Sequence, residues 1–426
     1  LYLDGSKKSE GNLEEFSDLL RDPLGLPDYY RPKNWEELFS SIYSTNEPSV
    51  VVIDEFQRFA DIDKSAIYSL QKVHDLNHDR TKANLLISGS SVGMLKRIFT
   101  EEKAPLYKRA VNMIDVRPFD IVTCFALYRR IGVANVEEMI RLHTCFGDLP
   151  MMFYLFERYQ VRGFKDALKN LLLCPFAPLR NEVSDTMIES FGKEHPTYFG
   201  ILSAISQGKR GTVEIANRVG INSTSLYPYI SDLENIMGVV TSELPVTIDR
   251  DSNSKKGRYI LKDNFYKFWF RFFYSNGSLV EMGFWDALMS IIKDNIDEYV
   301  SREVEVLIAD LVRSDRLKIG FTPNRVGRWW NRKGDEIDLL ALDDRNRIAL
   351  FGEVKWGNRQ TDRKVLDALI SKSELVKEIP GYDKRYMIFS RSGFSKGLTL
   401  EPEKTDVKLF DLNDIKGIID ALPAIP

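Results

Sequence analysis

The sequence predicts a multidomain α/β protein, and three observations carry that prediction. The chain has 426 residues, more than one hydrophobic core normally serves, so two to four domains are expected. Two aliphatic runs, SVVVIDE at 49–55 and NLLISGSS at 84–91, flank a helical pattern at 64–76. A second alternation of strand and helix patterns follows residue 318. Continuously aliphatic strands are typical of parallel sheets that are buried on both faces.

Composition narrows the class of protein. Hydrophobic residues make up 43% and charged residues 28%, and no apolar run approaches the roughly 18 residues that a membrane span needs, so no membrane partner is expected. A net charge of -3 excludes a protein that covers nucleic acid with its whole surface. The odd number and wide spacing of Cys124, Cys145 and Cys174 predict core thiols in a reducing, cytoplasmic environment.

The first aliphatic run ends in two acids, Asp54 and Glu55. They are expected at the carboxyl end of a buried strand, where open α/β sheets bind ligands. In P-loop ATPases the first acid of such a pair organises Mg²⁺ and the second polarises the attacking water. Ser88 or Ser90, after the second run, would then contact the γ-phosphate or the attacking water. The alternative is that both strands simply end in polar turns.

The middle of the chain predicts helices and then a winged helix-turn-helix. Helical patterns fill 136–191, and three further helices are expected within 198–236, before two strands and the basic wing residues Lys255, Lys256 and Arg258. The third of these helices has no lysine or arginine but carries Asp232 and Glu234, which favours an interdomain role over reading of DNA bases. The aromatic run at 265–276 is predicted to be core.

A second acidic constellation lies near the C-terminal end. Two strands joined by the turn DDRN place Asp338 in the first strand and Glu353 and Lys355 in the second. Residues two apart share a strand face, so both acids can hold a divalent cation while the lysine orients or activates a water. This is the PD-(D/E)xK pattern of restriction-type nucleases, and Glu305 matches the acid that often completes it. The alternative is a surface ion pair on a non-catalytic scaffold.

The segment before this hairpin, RVGRWWNRKGDE, is basic and aromatic. Arginines that meet phosphates and tryptophans that stack on bases predict an approach surface for nucleic acid. The alternative is that both tryptophans pack inward. The candidate nucleic-acid-binding residues are Arg325, Arg328, Arg332 and Lys333, interleaved with Trp329 and Trp330.

The succession VVIDEFQRF, LLISGSSVGML, PLYKRA, RPFD and FGDLPMMFYL resembles the archaeal ATPase family, a branch of the AAA+-like and STAND P-loop ATPases. The resemblance implies ATP and Mg²⁺ as cofactors, Asp54 and Glu55 as the Walker B acids, Ser90 as the sensor and Arg109 as the arginine of a Y-x-R element. No G-x-x-x-x-G-K-[ST] motif occurs in these 426 residues, and the nearest candidate, QGKRGT at 207–212, has the wrong spacing. We expect the phosphate-binding loop upstream of Leu1, which would leave the ATPase defective in the chain as given.

The predicted architecture is a truncated parallel-sheet P-loop ATPase core at 1–135, a helical lid at 136–193, a winged helix at 194–263 and an aromatic connector at 264–300. A restriction-endonuclease-like α/β domain is expected at 301–426. The leading hypothesis is an ATP-binding and ATP-hydrolysing switch coupled to a domain that binds or cleaves DNA with a divalent metal. Two alternatives stay open: an ATP-gated interaction protein that uses the nuclease-like fold as a scaffold, with self-association as an open question, and a metal nuclease with a degenerate ATPase half.

Overall fold

The computed structural model describes residues 1–174, 176–192, 195–249, 257–399 and 407–423. Within these residues the fold is mixed α/β, and no helix is both long and apolar enough to pass through a membrane. The chain forms two compact units. The first comprises Leu1–Val116 and Pro228–Gly238, and the second comprises Arg117–Tyr227 and Val239–Pro426.

The first unit contains a small parallel sheet covered by helices. Strands β1 and β2 pair in parallel, with Ser49 opposite Ala83 and Ile53 opposite Ile87. The chain start adds a third parallel segment, because Leu3 donates to the Asp54 carbonyl at 3.1 Å. The elements are α1 (Ser9–Arg21), α2 (Trp35–Tyr43), β1 (Ser49–Ile53), α3 (Phe59–Ile62), α4 (Lys64–Asn77), β2 (Ala83–Ile87) and α5 (Val92–Phe99).

This sheet buries only one of its faces. Val51 and Ile53 lie in the core with the aromatic side chains of α2 and α3, whereas Val50, Val52 and Leu86 on the opposite face are 66%, 41% and 56% exposed. Aliphatic side chains on both faces of a parallel sheet normally require a covering layer on each side. The second face of this sheet therefore lacks its cover among the described residues.

The second unit begins with helices. A π-helical turn, Leu168–Leu173, follows α9 (Phe164–Ala167), and another, Trp269–Phe273, follows α14 (Asn264–Phe268). Strands β3 (Val240–Glu243) and β4 (Arg258–Leu261) form an antiparallel pair. The helices are α6 (Ile121–Arg130), α7 (Val136–Phe146), α8 (Pro150–Arg158), α9 (Phe164–Ala167), α10 (Glu182–Phe191), α11 (His195–Ser206), α12 (Thr212–Val219), α14 (Asn264–Phe268), α15 (Gly277–Glu281) and α16 (Trp285–Arg313). Most of α13 (Leu226–Asn235) belongs to the Pro228–Gly238 segment of the first unit.

A five-stranded sheet, in the order β5-β6-β7-β8-β9, closes the second unit. The β5–β6 and β6–β7 pairs are antiparallel, and the β7–β8 and β8–β9 pairs are parallel. Helix α17 packs its buried leucines into the core on one face of this sheet. The elements are β5 (Arg325–Trp330), β6 (Glu336–Asp343), β7 (Ile348–Lys355), α17 (Arg363–Ser373), β8 (Asp383–Ser390), α18 (Lys396–Thr399), β9 (Val407–Asp411) and α19 (Leu412–Asp420).

A bulge interrupts the β5–β6 ladder. Gly327 pairs with Leu340 but Trp329 pairs with Ile337, so a single β5 residue faces two residues of β6. The extra residue shifts the alternation of side chains along β6 by one position. Ile337 and Leu340 consequently both enter the same core. Asp338 lies inside the bulge and, unlike its neighbours in the ladder, has no single partner residue on β5. Bulges of this kind commonly re-aim a side chain beside a functional site.

Several predictions from sequence are confirmed. Strands β1 and β2, the helix between them, the β6–β7 hairpin and the long helix α16 all form where the sequence patterns indicated. The aromatic run is core, since most of its rings are buried. All three cysteines are free thiols. The wing residues Lys255 and Lys256 lie outside the described residues.

Gly352 tests the packing of the central sheet. A methyl group added there would lie 2.9 Å from the Leu339 side chain and 3.1 Å from Met387, closer than a core tolerates. We expect Gly352→Ala to lower the free energy of unfolding by about 1–3 kcal/mol through overpacking. Thermal and urea denaturation would measure the loss. Gly357→Ala is the matched control because no atom lies within 4 Å of its added carbon, and equal stability of the two variants would contradict the packing.

Candidate active sites

Asp54 stands at the carboxyl end of the middle parallel segment. Its amide donates to the Leu1 carbonyl at 2.8 Å, and its Oδ1 accepts a hydrogen bond from the Ser88 hydroxyl at 2.6 Å. Ser88 follows β2 directly, so the parallel register that aligns Ile53 with Ile87 brings the two side chains together. The sequence predicted both residues at this edge, and the structure brings them into contact.

Glu55 and Ser90 form the second half of this cluster. Glu55 has a positive φ of 57°, which turns its side chain back across the strand ends. Its Oε2 accepts hydrogen bonds from Ser90 Oγ at 3.1 Å and from Gln57 Nε2 at 2.7 Å. Arg58 Nε lies 3.3 Å from the same oxygen. The predicted acid and the predicted sensor serine are therefore direct neighbours.

Gln57 is the residue of this cluster that sequence analysis missed. Its side-chain amide bridges Glu55 and Ser90, it is 4% exposed, and its Oε1 has no hydrogen-bond partner among the described residues. A methyl group on Gly89 would lie 1.9 Å from that Oε1, so glycine is required there. The position of Gln57 inside VVIDEFQRF was visible in the sequence, but its inward orientation was not.

Arg109 is not part of this cluster. Its Nε and terminal nitrogen donate to the two carboxylate oxygens of Asp75 at 2.6 and 2.7 Å, and its remaining nitrogen donates to the Pro105 and Tyr107 carbonyls. The hydrogen bond from Arg109 lowers the pKa of Asp75. The guanidinium is thus fully committed to Asp75 on α4 and to its own loop. The sensing role that the resemblance implied for Arg109 has no support in this arrangement.

The second acidic cluster lies where β6 meets β7. Lys355 Nζ is 2.6 Å from Glu353 Oε1, and Lys372 Nζ on α17 is 3.3 Å from Glu353 Oε2. Asp338 Oδ2 accepts the backbone N–H of Val354 at 3.0 Å. The three predicted residues therefore converge on one point of the sheet. Lys372 was not predicted, because it lies on a separate helix that carries no motif.

The two acids of this cluster influence each other electrostatically. Burial, and then the charge of Glu353, raises the pKa of Asp338. Burial lowers the pKa of Lys355, but the hydrogen bond and charge of Glu353 outweigh it and the net shift is upward. Lys355 is therefore an ammonium at neutral pH, suited to donate to a phosphate oxygen. Its side chain remains 41% exposed, so the cluster is reachable from solvent.

Glu305 approaches from α16 but is already paired. Its Oε2 lies 2.7 Å from the Arg328 guanidinium, which also donates to the Arg302 carbonyl. Burial, opposed by Arg328 and assisted by the charge of Asp338, raises the pKa of Glu305 to about 8. Glu305 therefore lies near Asp338, but its carboxylate is paired with Arg328.

The donor set suits a hard cation in part. Among the described residues no three acidic, histidine or cysteine side chains are grouped as metal ligands. Two carboxylates nevertheless suffice for Mg²⁺ at phosphoryl sites, where water and substrate oxygens complete the shell. Asp338 and Glu353 provide that pair, and a cation there would replace the lysine ammonium groups on Glu353. In the other cluster the predicted metal ligand is the single carboxylate of Asp54, which accepts the hydrogen bond from Ser88.

The predicted nucleic-acid surface is only partly present. Trp329 and Trp330 are 1% and 4% exposed, so the hypothesis that their faces stack on bases is wrong, because both rings pack into the protein. Arg325 forms a two-pronged contact with Asp344 at 2.6 and 2.8 Å. Arg328 is bound to Glu305, whereas Arg332 and Lys333 are exposed in the β5–β6 turn.

Comparison with solved structures gives distant likenesses. The chain is similar to the Walker-type ATPase PABY2304 of Pyrococcus abyssi, with 18% identity and a TM-score of 0.49 over 64% of this chain and 83% of that one. It is also similar to the Aeropyrum pernix ORC2 protein in its ADPNP–ADP complexes, with 13% identity and a TM-score of 0.39 over 69% and 78% of the two chains. Neither score reaches 0.5, so neither likeness decides the fold or the function.

Comparison of sequences is more informative. Residues 269–366 match the DUF234 family, described as archaeal and bacterial proteins of unknown function. The chain is 32% identical over 389 residues to the uncharacterized protein MJECL04 of Methanocaldococcus jannaschii, covering 90% of this chain and 83% of that protein. At this identity and coverage, the chain belongs to the same protein family as MJECL04.

Proposed function

We propose that the first unit binds and hydrolyses ATP with Mg²⁺ and that the C-terminal sheet acts on DNA through a divalent metal. One observation carries the nucleotide half of the proposal. Asp54 and Ser88 meet at the carboxyl edge of parallel strands, with Glu55, Gln57 and Ser90 hydrogen-bonded beside them. An acid that binds the metal and a second acid fixed next to a polar sensor are the parts that phosphoryl transfer requires.

The uncovered sheet face indicates what completes this site. Val50, Val52 and Leu86 expose aliphatic surface on the same face that carries Asp54 and Ser88 at its edge. A helix packed on that face would bury the aliphatic residues and bring its N-terminus near Asp54. The N-terminus of a helix after a glycine-rich turn is an anion site, because its free N–H groups and dipole favour phosphate. We place this phosphate-binding loop and helix upstream of Leu1.

Glu55→Gln tests the hydrolytic role. In a chain extended upstream of Leu1, we expect the substitution to lower ATP hydrolysis by about 10²–10⁴-fold, because it removes a positioned base, while ATP binding is retained. Phosphate release and binding of a fluorescent ATP analogue would measure the two effects separately. Asp61→Asn is the control, an exposed acid in α3. A folded extended chain that binds no ATP would reject the proposal.

The convergence of Asp338, Glu353 and Lys355 supports the nuclease half. Two carboxylates on adjoining strands can share a divalent cation, and a nearby ammonium can stabilise the charge that develops on a phosphodiester. One Asp338 oxygen is occupied by the Val354 amide, which fixes the carboxylate and leaves its other oxygen for a metal. The exposed Arg332 and Lys333 provide local positive charge for a DNA backbone.

One observation favours a non-catalytic scaffold instead. Both Glu353 oxygens are neutralised by lysines, Lys355 and Lys372. Such an arrangement is stable without metal, and a structural ion network would look the same. The two functions differ in a single measurable property, the affinity of the acid pair for a divalent cation.

Asp338→Asn distinguishes the two functions. The amide keeps the side-chain oxygen that accepts the Val354 N–H but removes the charge that a metal requires. We expect Mn²⁺ binding to fall at least about tenfold, and Mn²⁺-dependent nicking of supercoiled DNA to be lost. Electron paramagnetic resonance would measure binding, and gel electrophoresis would measure nicking.

The matched control for this experiment is Asp367→Asn. Asp367 is an exposed acid on α17 that pairs with Arg363, so its replacement removes the same charge from the same domain. Equal Mn²⁺ affinity in the Asp338 variant and the parent protein would establish the scaffold and end the nuclease proposal.

A further inference from the structure

A cavity in the second unit is rich in basic side chains. It lies among the α11–α12 turn, β4, the π-helical turn Trp269–Phe273, α16 and β5, has a volume of about 80 Å³ and is partly open to solvent. Basic residues in its lining outnumber acidic ones five to two. The basic residues are Arg210, Lys267, Arg271, Arg302 and Arg328.

Three of these cations are paired within the protein. Lys267 Nζ lies 2.6 Å from Glu303, and Arg302 lies 3.2 Å from Glu298. Arg328 holds Glu305, as described above. The side chains of Arg210 and Arg271, by contrast, have no hydrogen bond or ion pair within the parts of the chain that the structure describes. Two arginines without an ion pair in one cavity are available to bind an anion from outside.

Arg210 is held in position by its backbone. It follows Gly208, which has a φ of +88°, in the turn between α11 and α12, and its carbonyl accepts the Tyr259 amide of β4 at 2.9 Å. Burial, and then the positive charge of Arg328, lowers the pKa of the Arg210 guanidinium, while the charges of Glu243 and Glu336 oppose the shift without forming an ion pair with it. An additional negative charge in the cavity would relieve this unfavourable environment.

Arg271 reaches the cavity from an unusual helical turn. It is the charged residue of the π-helical segment Trp269–Phe273, whose four aromatic side chains are all buried. π-Helical turns are rare and frequently occur at functional sites. Here the wider turn lets four rings enter the core while the single arginine lines the cavity instead. Burial of the rings accounts for the aromatic residues, but not for the arginine among them.

We propose that this cavity binds a phosphate group, with Arg210 and Arg271 as the two residues that contact it and Arg302 at its exposed edge. The planar guanidinium matches phosphate oxygens with two parallel hydrogen bonds, and two such groups give a site for a dianion or for a phosphodiester. The site shares no residue with the Asp54 cluster or with Asp338, Glu353 and Lys355. It does not depend on either activity proposed above.

Arg271→Gln provides the test. We expect it to weaken binding of inorganic phosphate to the full chain by about tenfold or more, since a charge-assisted hydrogen bond is lost. Isothermal titration calorimetry would measure the affinity at fixed ionic strength. Arg316→Gln, an exposed arginine of the same unit, is the control and should bind within about twofold of the parent. Arg210→Lys keeps the charge but loses the two parallel hydrogen bonds of the guanidinium. Its phosphate affinity should lie between those of the Arg271 and Arg316 variants.

The source of the phosphate is distinguished by two further ligands. Adenosine monophosphate that binds more tightly than phosphate, and loses this gain in the Arg271 variant, identifies a nucleotide ligand. A 12-nucleotide single strand that binds still more tightly, with a steep salt dependence, and loses this gain in the Arg271 variant identifies a nucleic-acid backbone. Both results support the site. Folded Arg271→Gln protein with the affinity of the parent for all three ligands overturns it, whatever the Asp54 and Asp338 variants do.

Discussion

The hydrogen bond from the Val354 amide to Asp338 is the constraint on which the C-terminal site depends. The β6–β7 ladder pairs Leu339 with Gly352, and beyond this pair the Asp338 side chain takes the place of a backbone acceptor. The bulge in β6 makes this possible, because it turns Asp338 toward β7. One carboxylate oxygen therefore has a structural role, and the acid is fixed beside Glu353 at the cost of a raised pKa.

Both acidic clusters hold two carboxylates close together, but they do so with different contacts. At the first, parallel strands end together, Ser88 holds Asp54, and Ser90, Gln57 and Arg58 hold Glu55. At the second, antiparallel strands meet at a bulge, and lysines hold Glu353. The neutral Ser88 hydroxyl leaves Asp54 its charge, whereas the lysine ammonium groups compete directly with a metal for Glu353. To bind a nucleotide, the first cluster therefore requires a covering segment. To bind a metal, the second requires a divalent cation to replace the lysine ammonium groups on Glu353.

Sequence patterns predicted the parts of the sites that local structure determines. Asp54 follows a continuous aliphatic run, Glu353 lies in a mainly apolar one, and the two-residue spacing of Glu353 and Lys355 sets their common face. Contacts between distant segments were not predictable in this way. Lys372 reaches Glu353 only because α17 packs on that face, and Arg109 is neutralised by Asp75 from another helix. No local pattern specifies which carboxylate an arginine will meet.

The basic regions of this protein differ in whether their arginines form ion pairs, not in how many basic residues they contain. The segment that looked most like a nucleic-acid surface contains Arg325 and Arg328, and the fold assigns a carboxylate to each. The cavity that no motif marked contains Arg210 and Arg271, to which the described residues offer no ion pair. A paired guanidinium must lose its internal partner before it binds a phosphate, whereas an unpaired one gains a partner. The phosphate site proposed for the second unit therefore follows from where tertiary packing leaves arginines without an ion pair.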